Sequence, residues 1–276
     1  MKEQLEGIGS EVTLEDFKVK DNVVVLIFDD FKLKILPETY EEFKFKLGTV
    51  YKKDCLSQVL FINDKYLAEK YLISKASKHM YSVFEAKKVL EKKFDDMSND
   101  SIEAAIADLI ESDVLDDTKY AKQYKDFFDD NYYGKYFITN YLSLKQVDPK
   151  IINDLVFDQK LEEVKGQKYF ELIKNKYVSS NIIRQKKKIY DCLLKRGFGT
   201  NISSSIVDSI KVDPVQEEKK LIKSYLKCKK KYENNKLLDS RNINDKVISH
   251  LVHEGYNYDD VMKVIDLDKN GDIKND

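Results

Sequence analysis

Tryptophan is absent from the 276 residues, and cysteine, proline, arginine and histidine occur three times each. Each scarcity excludes something. Cys55, Cys192 and Cys228 are too scattered for a disulfide frame or a CxxC centre. Arg184, Arg196 and Arg241 stand against 45 lysines, so bidentate guanidinium recognition has few positions available. The longest aliphatic or aromatic run, Val23 to Phe28, is six residues, far short of a bilayer span. Met1 to Ser10 lacks the basic and apolar regions of a secretory signal, so the expectation is a cytoplasmic protein without a membrane partner. No phosphate-binding glycine loop, GxGxxG, HExxH or nucleophile triad is present. The sequence therefore predicts no active site, no cofactor and no enzyme.

What is present is a recurring phrase. Leu193-Leu194-Lys195-Arg196-Gly197-Phe198 and Leu251-Val252-His253-Glu254-Gly255-Tyr256 share one Leu-to-Gly spacing. Leu142 to Val147 repeats it with Gln146 in the glycine's place, and Leu90 to Phe94 repeats it without the glycine. The anchoring leucines lie 52, 51 and 58 residues apart, a period that points to stacked small units. Physically the phrase reads as a helix stopping. Basic residues in the last turn oppose the dipole, glycine takes the left-handed C′ position, and the following residue packs back. A second helical pattern follows each copy: Ile102/Ile106/Leu109, Ile151/Ile152/Leu155, Ile202/Ile206/Ile210 and Val261/Val264/Ile265.

The expected fold is mostly α: tandem three-helix repeats in an elongated array, led by a small antiparallel β-meander. Phe17 to Lys20, Val23 to Phe28 and Phe31 to Ile35 read as three strands joined by Asp21-Asn22 and Asp29-Asp30, with Pro37 ending the set. Residues 1 to about 12 carry no pattern. A sheet this small needs a helix beneath it, and the segment with Leu67, Tyr71 and Met80 is the candidate. Ser82-x-x-Glu85 is a capping box, Ser98 or Asn99 starts the next helix, and Asp116-Asp117 the one after. Asp148-Pro149 and Asp213-Pro214 each place proline at a first helical position. Leu161, Val164, Leu172 and Ile173 then mark a long helix. The expected organisation is 1–62 β-containing; 63–131 lead helix and first unit; 132–178 second; 179–236 third; 237–266 a truncated fourth; 267–276 a polar tail.

Charge is segregated. Residues 95–130 carry 12 acidic and 3 basic side chains, while 160–236 carry 20 basic and 9 acidic. Such separation suits one face to a polyanion and another to a basic or protein surface. The candidate contact residues are Lys186, Lys187, Lys188, Lys195, Arg196, Lys229, Lys230 and Lys231. Their bland reading is a solvated helix face. Two other patterns tempt. Asp266 to Ile273 copies the first eight positions of a calcium loop, but the bidentate carboxylate of position 12 is missing. His250 and His253 share a helix face without a third ligand, so no metal is expected.

Ser82-x-x-Glu85-Ala86-x-x-x-Leu90, Val114-Leu115-Asp116-Asp117-x-x-Tyr120-Ala121, the basic Lys195-Arg196-Gly197-Phe198, and a leading segment ending Phe43-Lys44-Phe45-Lys46-Leu47-Gly48 together resemble the RecX family of bacterial recombination regulators. The resemblance runs from about residue 15 to 266. It departs at the missing glycine after Lys93, at Gly134-Lys135 and at Gln146. It implies a non-enzymatic, monomeric protein of three-helix modules that binds the RecA recombinase filament on single-stranded DNA and modulates, most simply inhibits, its activity. Direct DNA contact would then be secondary. The composition alone also admits a nucleic-acid-binding helical repeat that acts without any recombinase.

Overall fold

In a computed structural model, residues 5, 9–234 and 240–273 are described. The chain begins with four antiparallel strands: β1 (Glu11–Lys20), β2 (Val23–Phe28), β3 (Lys32–Ile35) and β4 (Val50–Lys52), in the order β3-β2-β1-β4. β1 and β2 turn around Asp21 (φ 54°), which pairs Lys20 with Val23. Alternation along β2 buries Val24, Leu26 and Phe28 and turns Val23, Val25 and Ile27 outward. Two expectations change here. β1 begins at Glu11, because Glu11 to Thr13 pair with β4, a strand too short to show a period. Pro37 opens helix α1 (Pro37–Phe43) instead of merely ending β3, since proline at N1 needs no N–H partner.

The helix beneath the sheet is α2 (Lys53–Ala76). Its first half supplies Leu56, Val59 and Leu60 to the sheet's core. Its second half supplies Ala68 and Leu72, with Leu67 and Tyr71 alongside, to the core of the helices that follow. The residues facing the sheet thus precede Leu67 and Tyr71, and Met80 lies beyond the helix. At the changeover, buried Asn63 accepts the Leu36 N–H at 2.8 Å, satisfying the chain where it leaves β3.

Tandem three-helix repeats follow. The first is α3 (Val83–Lys93), α4 (Asn99–Glu111) and α5 (Asp117–Asp130). The second is α6 (Lys135–Leu144), α7 (Pro149–Asn153) and α8 (Gln159–Ile173), with a 3₁₀ turn at Lys174–Tyr177. The third is α9 (Ile182–Lys195), α10 (Thr200–Asp208) and α11 (Pro214–Glu233), and α12 (Ser240–His253) and α13 (Tyr258–Lys269) come last. By internal contacts the chain divides into two compact units, 1–124 with 141–155, and 125–140 with 156–276. In the first, the sheet core and the cluster around Leu90, Ile102, Ala105 and Leu109 are the apolar centres. In the second, they are Ile189, Leu193, Phe198, Ile206 and Val207, and the set of Leu221, Tyr225, Val247, Leu251, Val261 and Val264.

Helix α8 does not bury the side that its leucines mark. Leu161, Val164 and Leu172 are exposed, whereas Glu162, Lys165 and Gly166 are buried. A Cβ on Gly166 would lie 2.9 Å from Ile202 Cγ2, so α10 packs where the glycine leaves room. The tail also differs from its expected form. Asp266 and Asp268 belong to α13, and Gly271 (φ 78°) ends that helix, with the Asp272 N–H reaching the Leu267 carbonyl at 2.9 Å. From Asp266 to Ile273 the stretch is therefore a capped helix end and not a calcium loop, while 274–276 lie outside the described residues.

Candidate functional site

The repeated Leu-x-x-x-Gly phrase makes a joint. At three of the four copies the N–H two residues past the end turns back to the leucine carbonyl: Val147 to Leu142 at 3.2 Å, Phe198 to Leu193 at 3.1 Å, Tyr256 to Leu251 at 3.1 Å. At the copy without the glycine, the Phe94 N–H bonds the Leu90 carbonyl at 2.9 Å in ordinary helical fashion. Gln146, Gly197 and Gly255 hold the left-handed position, at φ 53°, 92° and 98°. The carbonyl just before it is thereby aimed outward, and the start of the preceding repeat takes it. Ser82 Oγ donates to the Lys145 carbonyl at 3.0 Å, the Gly134 N–H to that of Arg196 at 2.9 Å, and Asn181 Nδ2 to that of Glu254 at 2.6 Å. Ser82 and Asn181 cap α3 and α9, and Gly134 immediately precedes α6. One helix start therefore satisfies one helix end, and both ends are otherwise short of partners.

Each start is also held by a carboxylate from its own third helix. The Val83 N–H donates to Asp117 (2.9 Å), the Lys135 N–H to Glu162 (2.9 Å) and the Ile182 N–H to Glu217 (2.8 Å). Acidic groups at a helix N-terminus answer the positive end of its dipole. Adjacent Asp116 and Asp117 thus divide their work: Asp116 caps α5 through the Thr118 and Lys119 N–H groups, and Asp117 reaches α3. Burial pushes the Asp117 carboxyl upward. Buried Tyr120 donates to Glu85 at 3.0 Å, and Lys145 bonds the other oxygen of the same carboxylate. Burial raises the Glu85 pKa, but the Lys145 and Tyr120 bonds outweigh it and hold the group below its ordinary value.

In the 125–140 and 156–276 unit the corresponding charge is deeper. Lys165, 3% exposed, bonds Asp129 at 2.5 Å, the Tyr133 carbonyl at 2.9 Å and Glu162. Arg196 lies beside it. Its Nε donates to the Tyr132 carbonyl at 3.1 Å and its Nη2 to that of Asn131, closing the end of α5. The guanidinium carbon stands 3.3 Å from the Tyr133 ring centroid and 4.8 Å from that of Tyr169.

The eight basic candidates therefore separate. Arg196 is half-buried and engaged as described. Lys229 is turned to α13, bonding Asp268 at 2.5 Å, where Tyr225 also donates at 2.7 Å. Lys187, Lys188 and Lys195 on α9 and Lys230 and Lys231 on α11 are exposed, and Lys186 is half-buried. Lys188 and Arg196 share one stripe of α9 through Cys192, at successive steps of four residues. His250 packs its ring edge on Tyr232, and its Nε2 lies 3.8 Å from Glu254. Among the described residues, no group of three His, Cys, Asp or Glu is placed to hold a metal, and no helix is long and apolar enough to cross a membrane. A groove of about 540 Å³ lies between α9, α11 and α13, but two carboxylates on it are already used, Glu217 by Ile182 and Lys220 and Asp260 by Lys263.

The helix ends were legible in the sequence. Glu162, Lys165 and Glu217 were not, nor were Tyr169 and Tyr177 beside α9. The carboxylate anchors had no fixed spacing to betray them: they stand 34, 27 and 35 residues from the N–H groups they hold.

No protein-family model matches the chain, and no curated protein matches it. Among solved structures, a crystal structure of the regulatory protein RecX superposes with a TM-score of 0.60 at 16% identity, covering 72% of this chain and 100% of that one. The crystal structure of RecX from Lactobacillus salivarius gives a TM-score of 0.47 at 25% identity, covering 53% of this chain and 96% of that one. The chain has the RecX-type helical-repeat fold.

Proposed function

We propose that this protein is a RecX-like, non-enzymatic regulator that binds the RecA recombinase filament on single-stranded DNA and restrains its activity. The observation that carries the reading is the superposition on the whole of a RecX chain at a TM-score of 0.60. The sequence phrases that resemble the family lie at the working parts of that fold. Asp117 and Tyr120 tie α5 to α3, Asp116 caps α5, Leu115 and Ala121 are buried, and Arg196-Gly197 forms a joint between repeats. A series of like repeats with like joints suits a partner that is itself a repeating polymer. The polar side chains most easily mistaken for a catalytic group (Asp116, Asp117, Glu162, Lys165) are occupied in holding helix ends.

The test is DNA-dependent ATP hydrolysis by the cognate RecA on single-stranded DNA, titrated with this protein. Suppression at levels well below the recombinase is expected. Unchanged hydrolysis and unchanged filament assembly would overturn the reading. A second reading, a nucleic-acid-binding array that needs no recombinase, draws on the excess of 20 basic over 9 acidic residues in 160–236. Tight, salt-sensitive DNA or RNA binding without any effect on the recombinase would favour it.

A further inference from the structure

We propose that the α8–α9 face carries a short single-stranded nucleic-acid platform, built from Tyr132, Tyr169 and Tyr177, with Lys176 and Lys188 against the Tyr177 ring and Lys168 against that of Tyr132. It deepens the nucleic-acid part of the function proposed above, and rests on that reading for its setting in the filament. The stripe Lys188-Cys192-Arg196 runs along α9 for about 12 Å at 1.5 Å per residue. Tyr177 from the 3₁₀ turn and Tyr169 from α8 stand beside it, and Tyr132 meets it through the backbone. Tyr177 shares a hydrogen bond with Cys192 at 3.4 Å. Tyr169 lies over Arg196, and Tyr132 lends Arg196 its carbonyl. Lysine ammonium groups sit against the outer rings: Lys188 and Lys176 at 5.4 and 5.6 Å from the Tyr177 centroid, Lys168 at 5.6 Å from that of Tyr132.

Three features of this arrangement suit a single strand. The three tyrosines are half-buried, Tyr169 and Tyr177 being fixed against the Ile189, Leu193 and Phe198 cluster, and the three lysines are exposed. Distances of 5.4 to 5.6 Å are near the outer limit of about 6 Å for cation–π contact. An ammonium held that loosely can move onto a phosphate while a base takes the ring face. Residues 160–196 also carry 11 basic and 4 acidic side chains, and one of the acids, Glu171, is bonded by Lys174. Stacking on aromatic faces with cations tracking the backbone is how proteins hold single strands without reading sequence. Arg196 is a positioning residue here: it fixes Tyr133 and Tyr169 from behind.

The test uses the full chain without recombinase. Anisotropy is measured with fluorescein-labelled oligo(dT) and with an abasic strand of the same length, across a salt series. The parent protein is expected to prefer oligo(dT) by about 5-fold or more, the low end of one stacked base. Tyr177→Phe keeps that preference and Tyr177→Leu loses most of it. Lys176→Ala/Lys188→Ala lowers the slope of log affinity against log salt by about 1.4, two phosphate contacts at about 0.7 each. Equal binding of the abasic strand, equal competition by inorganic polyphosphate, or an unchanged slope in the lysine variant overturns the platform. Failure to alter ATP hydrolysis by the recombinase, with base-dependent binding intact, instead overturns the regulator reading and leaves the platform standing.

Discussion

Asp64 is 5% exposed on α2, and its Oδ1 has no hydrogen-bond partner. Burial pushes its pKa from 3.8 up to about 6. A carboxyl whose folded pKa is raised binds more protons in the folded than in the unfolded chain between those values. Its protonation therefore supports the fold below about pH 4, and that support is lost as pH rises through about 6. Asp64→Asn, which cannot ionise, is expected to be more stable than the parent at pH 7.5 by about 1–3 kcal/mol. At pH 4 the two should be nearly equal. Urea unfolding at the two pH values checks it, and an equal difference at both would refute the assignment to Asp64 ionisation. Asn63, the preceding residue, shows the contrasting case: its carbonyl oxygen takes the Leu36 N–H, so its burial is compensated.

At the scale of the element, the helix ends differ in what they demand of their glycines. A Cβ on Gly255 would stand 3.4 Å from Ile183 Cγ2, an ordinary contact, so only the left-handed backbone opposes a side chain. A Cβ on Gly197 would stand 2.3 Å from the Phe137 backbone nitrogen, and one on Gly134 2.3 Å from the Gly197 carbonyl oxygen. The reason lies in how the joint is made. Ser82 and Asn181 reach the next repeat with a side chain, whereas Gly134 donates its own N–H, which draws two backbones together. The same logic explains how Gln146 stands in a glycine's place, at φ 53° and opposite the side chain of Ser82. Gly255→Ala should cost about 1–2 kcal/mol, the left-handed penalty. Gly197→Ala adds a clash with backbone and should cost well beyond that, about 3 kcal/mol or more. Thermal melts of the two variants give the comparison, and equal losses would show that the close approach does not matter. This also marks what sequence could tell. A helix end is set by residues four and five apart, so Leu193 to Phe198 was legible. Glu162 and Lys165 on α8 were not, because hydrophobic periodicity assigns the inner face to Leu161, Val164 and Leu172. An ion cluster around Lys165 and the α10 contact at Gly166 decide the face instead.

For the molecule as a whole, the joints make stability a sum of local terms with coupling between neighbours. The basic runs were readable from composition, but the placing of Tyr169 and Tyr177 beside α9 was not. Tyr169 and Tyr177 come from α8 and the 3₁₀ turn, and only the fold sets them along α9. The same nearest-neighbour logic predicts how damage spreads. In Gly197→Ala, the lost contacts are those of the Gly134, Tyr136 and Phe137 backbone with the end of α9. Amide exchange should therefore speed up in the end of α5, the start of α6 and the α9–α10 turn. It should stay at parent rates in β1, β2 and β3, whose protection comes from the sheet ladder and the Leu56, Val59 and Leu60 face of α2. Exchange followed by mass spectrometry on the full chain distinguishes the cases. Uniform acceleration, sheet included, would mean that the chain opens as one cooperative body, and the joints would then be welds and not couplings between neighbours.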